Sequence, residues 1–135
     1  MNQNISFRVE LKEDYDRAVE KVTAALKEEG FGVLTEVNVK ETLKKKIDAD
    51  FRRYIIMGAC NPPLAHKALS SEPLVGLLLP CNVTVEEAGE GSLVNIVNPI
   101  QMLSGFPAFA GNTDVTAVAE DAYARLARVA KALEA

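Results

Sequence analysis

The sequence predicts an α+β fold, a two-layer sandwich with helices packed on a mixed sheet of about five strands and about four helices. Three observations carry this. Apolar residues alternate with polar ones at a period of two in short runs bounded by turn residues, beginning with Ile5, Phe7, Val9 and Leu11. Other segments repeat at helical spacing, most clearly Tyr15 to Leu26 and Val115 to Leu133. The two kinds of segment interleave in the order β-α-β-α-β-α-β-β-α. The hairpin around Gly89-Glu90-Gly91 near its end excludes a purely parallel sheet.

Taken in order, the first strand runs to Leu11. The first helix has Asp14 and Asp16 in its first turn, Tyr15, Ala18, Val22 and Leu26 on its apolar stripe, and Gly30 just past its end. Phe31 to Val37 reads as the second strand. Asn38 with Glu41 three residues on has the form of a capped helix start, and Val39, Leu43 and Ile47 then form one face of a short second helix. Phe51 to Ala59, apolar after Arg53, reads as a central strand. Asn61-Pro62-Pro63 opens a third helix that ends before Pro73, since asparagine caps well and a first-turn proline gives up no needed donor. Leu74 to Leu79 and Val83 to Glu87 read as one strand broken at Pro80-Cys81-Asn82. Ser92 to Val97 is the next strand. Asn98 to Asn112 is irregular but carries Ile100, Met102, Leu103, Phe106 and Phe109, and Thr113 to Leu133 closes the chain as a helix.

Bulk properties narrow the classes. A chain of 135 residues with no linker, repeat or low-complexity segment is expected to form one domain over 1–135. Hydrophobic residues at 48% and charged residues at 25% are globular values, and no apolar run approaches the roughly 20 residues of a membrane span. Met1-Asn2-Gln3-Asn4 leads straight into the first strand without the basic start and apolar stretch of a secretory signal, so a cytoplasmic location is expected. A net charge of −4 argues against general nucleic-acid binding. The local run of Lys40, Lys44, Lys45, Lys46, Arg52 and Arg53 reads as a solvated face.

No phosphate-binding glycine loop, zinc-protease pattern, Cys-x-x-Cys pair or nucleophile elbow is present. What stands out is a Cys-Asn pair used twice, Cys60-Asn61 before a helix start and Cys81-Asn82 at a strand break, which makes these four residues the candidate ligand or thiol site. Cys60 precedes a helix N-terminus, where free N–H groups and the helix dipole would lower its pKa and favour nucleophilic chemistry. The plain alternative is that both cysteines are buried and packed as small apolar side chains. His66, the only histidine, falls off the face shared by Leu64, Ala68 and Leu69 and is expected at the surface. With Cys60 and Cys81 it would supply only three ligands at no characteristic spacing, so neither a metal nor another cofactor is expected. Asp48, Asp50, Glu86, Glu87 and Glu90 read as solvated carboxylates, and Asn95 and Asn98 as turn or capping groups.

Gly30-Phe31, the segment Gly58-Ala59-Cys60-Asn61-Pro62, the segment from Leu78 to Val83, and Asn98-Pro99 with Met102 together resemble the domain-of-unknown-function 302 family, from Phe7 to the last helix. The resemblance implies a small two-layer α+β fold and dimers, with no established activity. It also implies that Asn61-Pro62 serves the backbone turn, since many family members carry Gly-Asn-Pro without the cysteine, and that any thiol function belongs to a subset.

Two functional expectations follow. One is a small-ligand-binding or sulfur-handling protein using a Cys60/Cys81 cleft. The other is a non-catalytic homodimeric module whose cysteines are simply packed and whose dimer interface uses the apolar residues between Asn98 and Asn112.

Overall fold

The computed structural model describes residues 4–135; Met1-Asn2-Gln3, part of the segment read as lacking a secretory signal, lies outside them. Five strands form one sheet: β1 (Ser6–Leu11), β2 (Gly32–Asn38), β3 (Tyr54–Cys60), β4 (Cys81–Ala88) and β5 (Gly91–Val97), in the order β1-β5-β4-β3-β2. Every adjacent pair is antiparallel, so the sheet is not mixed. The chain leaves β2 and re-enters β3 at the same sheet end through α2 (Val39–Ile47), and it returns from β3 to β4 in the same way through α3 (Pro62–Ser71). Such returns give antiparallel neighbours, whereas a parallel pair needs a crossover over the sheet face. Only α1 (Tyr15–Glu28) makes that crossover, carrying the chain from one edge strand to the other.

One face of the sheet is covered. Val9, Met57, Val83, Val85, Val94 and Ile96 are buried there, against Ala18, Val22 and Leu26 of α1 and Leu126, Val129 and Leu133 of α6 (Thr113–Glu134). The alternate strand positions on the other face, among them Val37, Ile56, Thr84 and Leu93, are half-buried or exposed. This is a two-layer α+β sandwich, as the periodicities predicted.

Local chemistry explains the element ends. Asp14, Asn38, Asn61, Asn98 and Asn112 each accept a backbone N–H of the helix they precede. The end of α1 closes through Gly30 at φ +84°, with Gly30 N–H donating to Lys27 O and Phe31 N–H to Leu26 O.

Two stretches differ from the sequence reading. Pro73–Leu77 is a 3₁₀ turn rather than the first half of a broken strand: Pro73 opens it and the Glu72 carboxylate accepts Leu74 N–H. A short apolar run has no periodicity that separates strand from helix. Asn98 to Asn112 is regular, forming α4 (Pro99–Ser104) and α5 (Pro107–Ala110). Leu103 and Phe109 join Ala68, Val75, Val115 and Val118 in a second apolar cluster, with Ile100 and Met102 packed against it. Those residues are therefore covered within the chain. They no longer give a reason for a dimer, and only Phe106 among the large ones is substantially exposed. In α2, Val39 and Leu43 are half-buried, but Ile47 is exposed.

Three members of the basic run meet carboxylates, Lys44 with Asp48 and Asp50, Arg52 with Glu86, and Arg53 with Glu87 and Asp16, while Lys45 and Lys46 are exposed. Glu86 and Glu87 thus sit within β4 as partners of arginines instead of in a solvated turn, and Asn95 lies within β5, accepting from Ser6 Oγ. His66 is exposed, and Asn98 is a buried cap.

Candidate functional site

The main cluster under α1 and α6 and the second cluster under α3, α4 and α5 do not merge completely. Between them, at the sheet end where β2 begins, β3 ends and β4 begins, lies a cavity of about 330 Å³. Phe31 and Ala59 of the first cluster and Ala68, Val75, Leu103 and Val118 of the second contribute to its wall. The volume is at the lower end of the range for small-molecule sites. A depression of about 530 Å³ beside Arg8, Glu10 and Glu90 is larger, but it is a charged surface feature.

Cys60, Asn61 and Cys81 all line the apolar cavity; Asn82 is exposed and does not. Ala59 pairs with Cys81, so the Cα atoms of Cys60 and Cys81 stand roughly 6 Å apart by strand geometry. Paired residues share a face and neighbours in a strand alternate, so Cys81 points with Ala59 into the covered layer while Cys60 points the other way. The two thiols border one cavity from different sides of the sheet end, and both are free.

Cys60 stands where the sequence places it, directly before the cap of α3, yet its pKa moves up. Burial is the cause, and the expected lowering has no donors to produce it. The first two helical residues are Pro62 and Pro63, which have no N–H, and the third donor, Leu64 N–H, is taken by Asn61 Oδ1 at 3.3 Å. Cys81 is pushed up to about 11, first by burial and then by the nearby Cys60. At neutral pH both sulfurs are therefore neutral thiols, poor nucleophiles and poor metal ligands. Among the described residues no group of three or more His, Cys, Asp or Glu is arranged to hold a metal ion.

Asn61 is occupied structurally as well. Besides capping α3, its Nδ2 donates to Glu29 O at 3.4 Å, and Arg125 Nη1 donates to the same carbonyl at 3.1 Å. A side chain at Gly30 would meet Asn61 Nδ2 at 2.9 Å, so the Gly-Phe and Asn-Pro segments are in direct contact in the fold. The strand segment before it is equally constrained: a Cβ at Gly58 would collide with Thr35 Oγ1 and lie 2.5 Å from Pro80 Cγ.

Residues 7–133 match the family described as Domain of unknown function DUF302. The chain belongs to this family. A solved DUF302 structure, described as an uncharacterized conserved protein from Bacillus stearothermophilus, shares 29% identity with a TM-score of 0.81, covering 95% of this chain and 97% of that one. No curated protein matches. DUF302 membership carries no assigned activity with it.

Several cavity residues carry no motif. Leu34 is the extra residue of a bulge: Val33 pairs with Ala59 and Thr35 with Gly58, which leaves Leu34 unpaired and turned to the cavity mouth. Ala65, Ala68 and Gly76 make space by being small. In sequence, a bulge leucine and two helix alanines look like ordinary packing.

Proposed function

We propose that this DUF302 domain binds a small apolar ligand in the cavity beside Cys60 and Cys81, without catalysis. The observation that supports it is an apolar cavity of about 330 Å³ bordered by two thiols that burial keeps protonated. Space of this kind offers dispersion and desolvation to an apolar guest and no activated nucleophile. The sulfur-handling alternative needs a thiolate, which burial of Cys60 and the donor-poor, proline-led start of α3 disfavour. The reading takes the protein as cytoplasmic, where reducing conditions keep both residues as thiols. Titration with the neutral fluorophore N-phenyl-1-naphthylamine tests it. Saturable binding is expected in the native protein and its loss in Ala65→Phe, which fills the cavity from a half-buried position; equal binding by both proteins refutes the reading.

A homodimer is retained in the proposal on new ground, the sheet face opposite α1 and α6, where Val37 is exposed and Ile56 and Leu93 are half-buried. Sedimentation of the native protein should show a dimer that Ile56→Asp dissociates. A native protein that sediments as a monomer at high micromolar concentration removes this part.

A further inference from the structure

Resting on the binding reading above, we propose that the cavity's occupant is a single-chain amphiphile of the fatty-acid or fatty-alcohol kind, its tail enclosed and its head left in water at the mouth. The wall determines the enclosed part. No buried side-chain nitrogen or oxygen among the described residues lacks a hydrogen-bond partner, both ends of the Asn61 amide are engaged, and the thiols are neutral. A guest group that needed a hydrogen bond would lose its water there and gain nothing, so the inserted portion must be hydrocarbon.

The mouth determines the rest. Leu34, turned out by the β2 bulge, is 68% exposed, and Leu69 of α3 also lines the cavity while reaching solvent. Gly76 packs beside Leu69, where a Cβ would lie 3.6 Å from Leu69 Cδ2, and it belongs to the same 3₁₀ turn as Leu74 and Leu77. Leu77 is 81% exposed, and three-residue spacing puts Leu74 and Leu77 on one side of that turn. Apolar side chains therefore continue from the interior to the rim at Leu34 and Leu69, with Leu74 and Leu77 exposed on the turn that holds Gly76. A compact ring would fill the cavity and leave this rim wet; an alkyl chain covers both. Its polar head finds the Thr35 hydroxyl and water where the chain emerges.

Calorimetric titration with straight-chain fatty acids from hexanoate to myristate, each below its micelle concentration, with naphthalene as a compact comparator, tests the inference. Affinity should rise roughly fourfold per methylene while the tail fills the cavity, the increment expected for a buried methylene. Ala68→Phe should shift the limit of that rise to shorter chains, and the exposed substitution Leu34→Glu should weaken only the longer ones. Binding of naphthalene with no dependence on chain length overturns the amphiphile inference and leaves the apolar-ligand reading standing. Failure of every probe, the fluorophore included, overturns both. A length dependence unchanged in both variants places the binding elsewhere and overturns the inference.

Discussion

Raising the pH should destabilise this fold through the Cys81 sulfur. The Cys81 thiol has an ordinary pKa near 9 and is pushed up to about 11 in the folded chain, chiefly because the cavity wall cannot solvate a thiolate. Since the folded-state value lies above the unfolded one, the stabilisation is complete below about pH 9 and drains away as the pH climbs towards 11. At about 1.36 kcal/mol for each pH unit separating the two values, its full loss amounts to between about 2 and 3 kcal/mol. About 2 kcal/mol of it should be gone by pH 10.5. The assay is urea unfolding followed by circular dichroism from pH 7.5 to 10.5 under reducing conditions, comparing wild type with Cys81→Val. Lysines and tyrosines titrate in both proteins and cancel in the difference, so wild type should lose about 2 kcal/mol more than the variant across that span. Parallel pH profiles would show that the Cys81 sulfur is solvated on demand, and would refute the account of a dry cavity wall.

Three further outcomes follow from the same structure. Alkylation of native protein by iodoacetamide at pH 7 should be slow at Cys60 and slower still at Cys81, each far below the denatured control, because burial raises both pKa values; a Cys60 rate matching the denatured chain would restore the thiolate reading. Gly58→Ala should cost about 1 to 3 kcal/mol in chemical denaturation, since the added methyl meets the Pro80 ring and the Thr35 hydroxyl; an unchanged midpoint would mean β2 and the Pro80 segment yield freely. Leu126→Ala should cost about 2 to 5 kcal/mol, as Leu126 is fully buried between α6 and the sheet, and an unaltered thermal midpoint would contradict that placement.

The fold was legible wherever a period was long enough to count. The stripe Tyr15, Ala18, Val22 and Leu26 and the stripe Val115 to Leu133 both lie where helical spacing placed them. Asparagine caps announced α2 and α3 because one side-chain oxygen meets one backbone donor within three residues, while Asn98 read as a turn or capping group without the helix α4 that it caps. Leu74 to Leu79 misled because six apolar residues satisfy either period, and the deciding contact, Glu72 with Leu74 N–H, is a matter of geometry. For the site, Cys60, Asn61 and Cys81 were found as oddities of composition and do meet at one cavity. Their chemistry was misread at Cys60, where the two prolines that announce the helix are the same residues that strip its N-terminus of donors. The cavity itself was invisible, since a void left by Ala65, Ala68 and Gly76 depends on what the other wall fails to fill.

The carbonyl of Glu29 gives the helical layer a mechanical character. It receives Asn61 Nδ2 and Arg125 Nη1, tying the end of α1, the start of α3 and the middle of α6 at one atom. The far end of α3 is held as well, by Ser71 Oγ donating to Asn112 Oδ1 and by Ala68 buried in the second apolar cluster. The roof of the cavity is thus clamped at both ends of α3, at Asn61 beside Cys60 and at Ser71 beside the cap of α6, so the space beneath Ala65 and Ala68 is spanned as by a bridge.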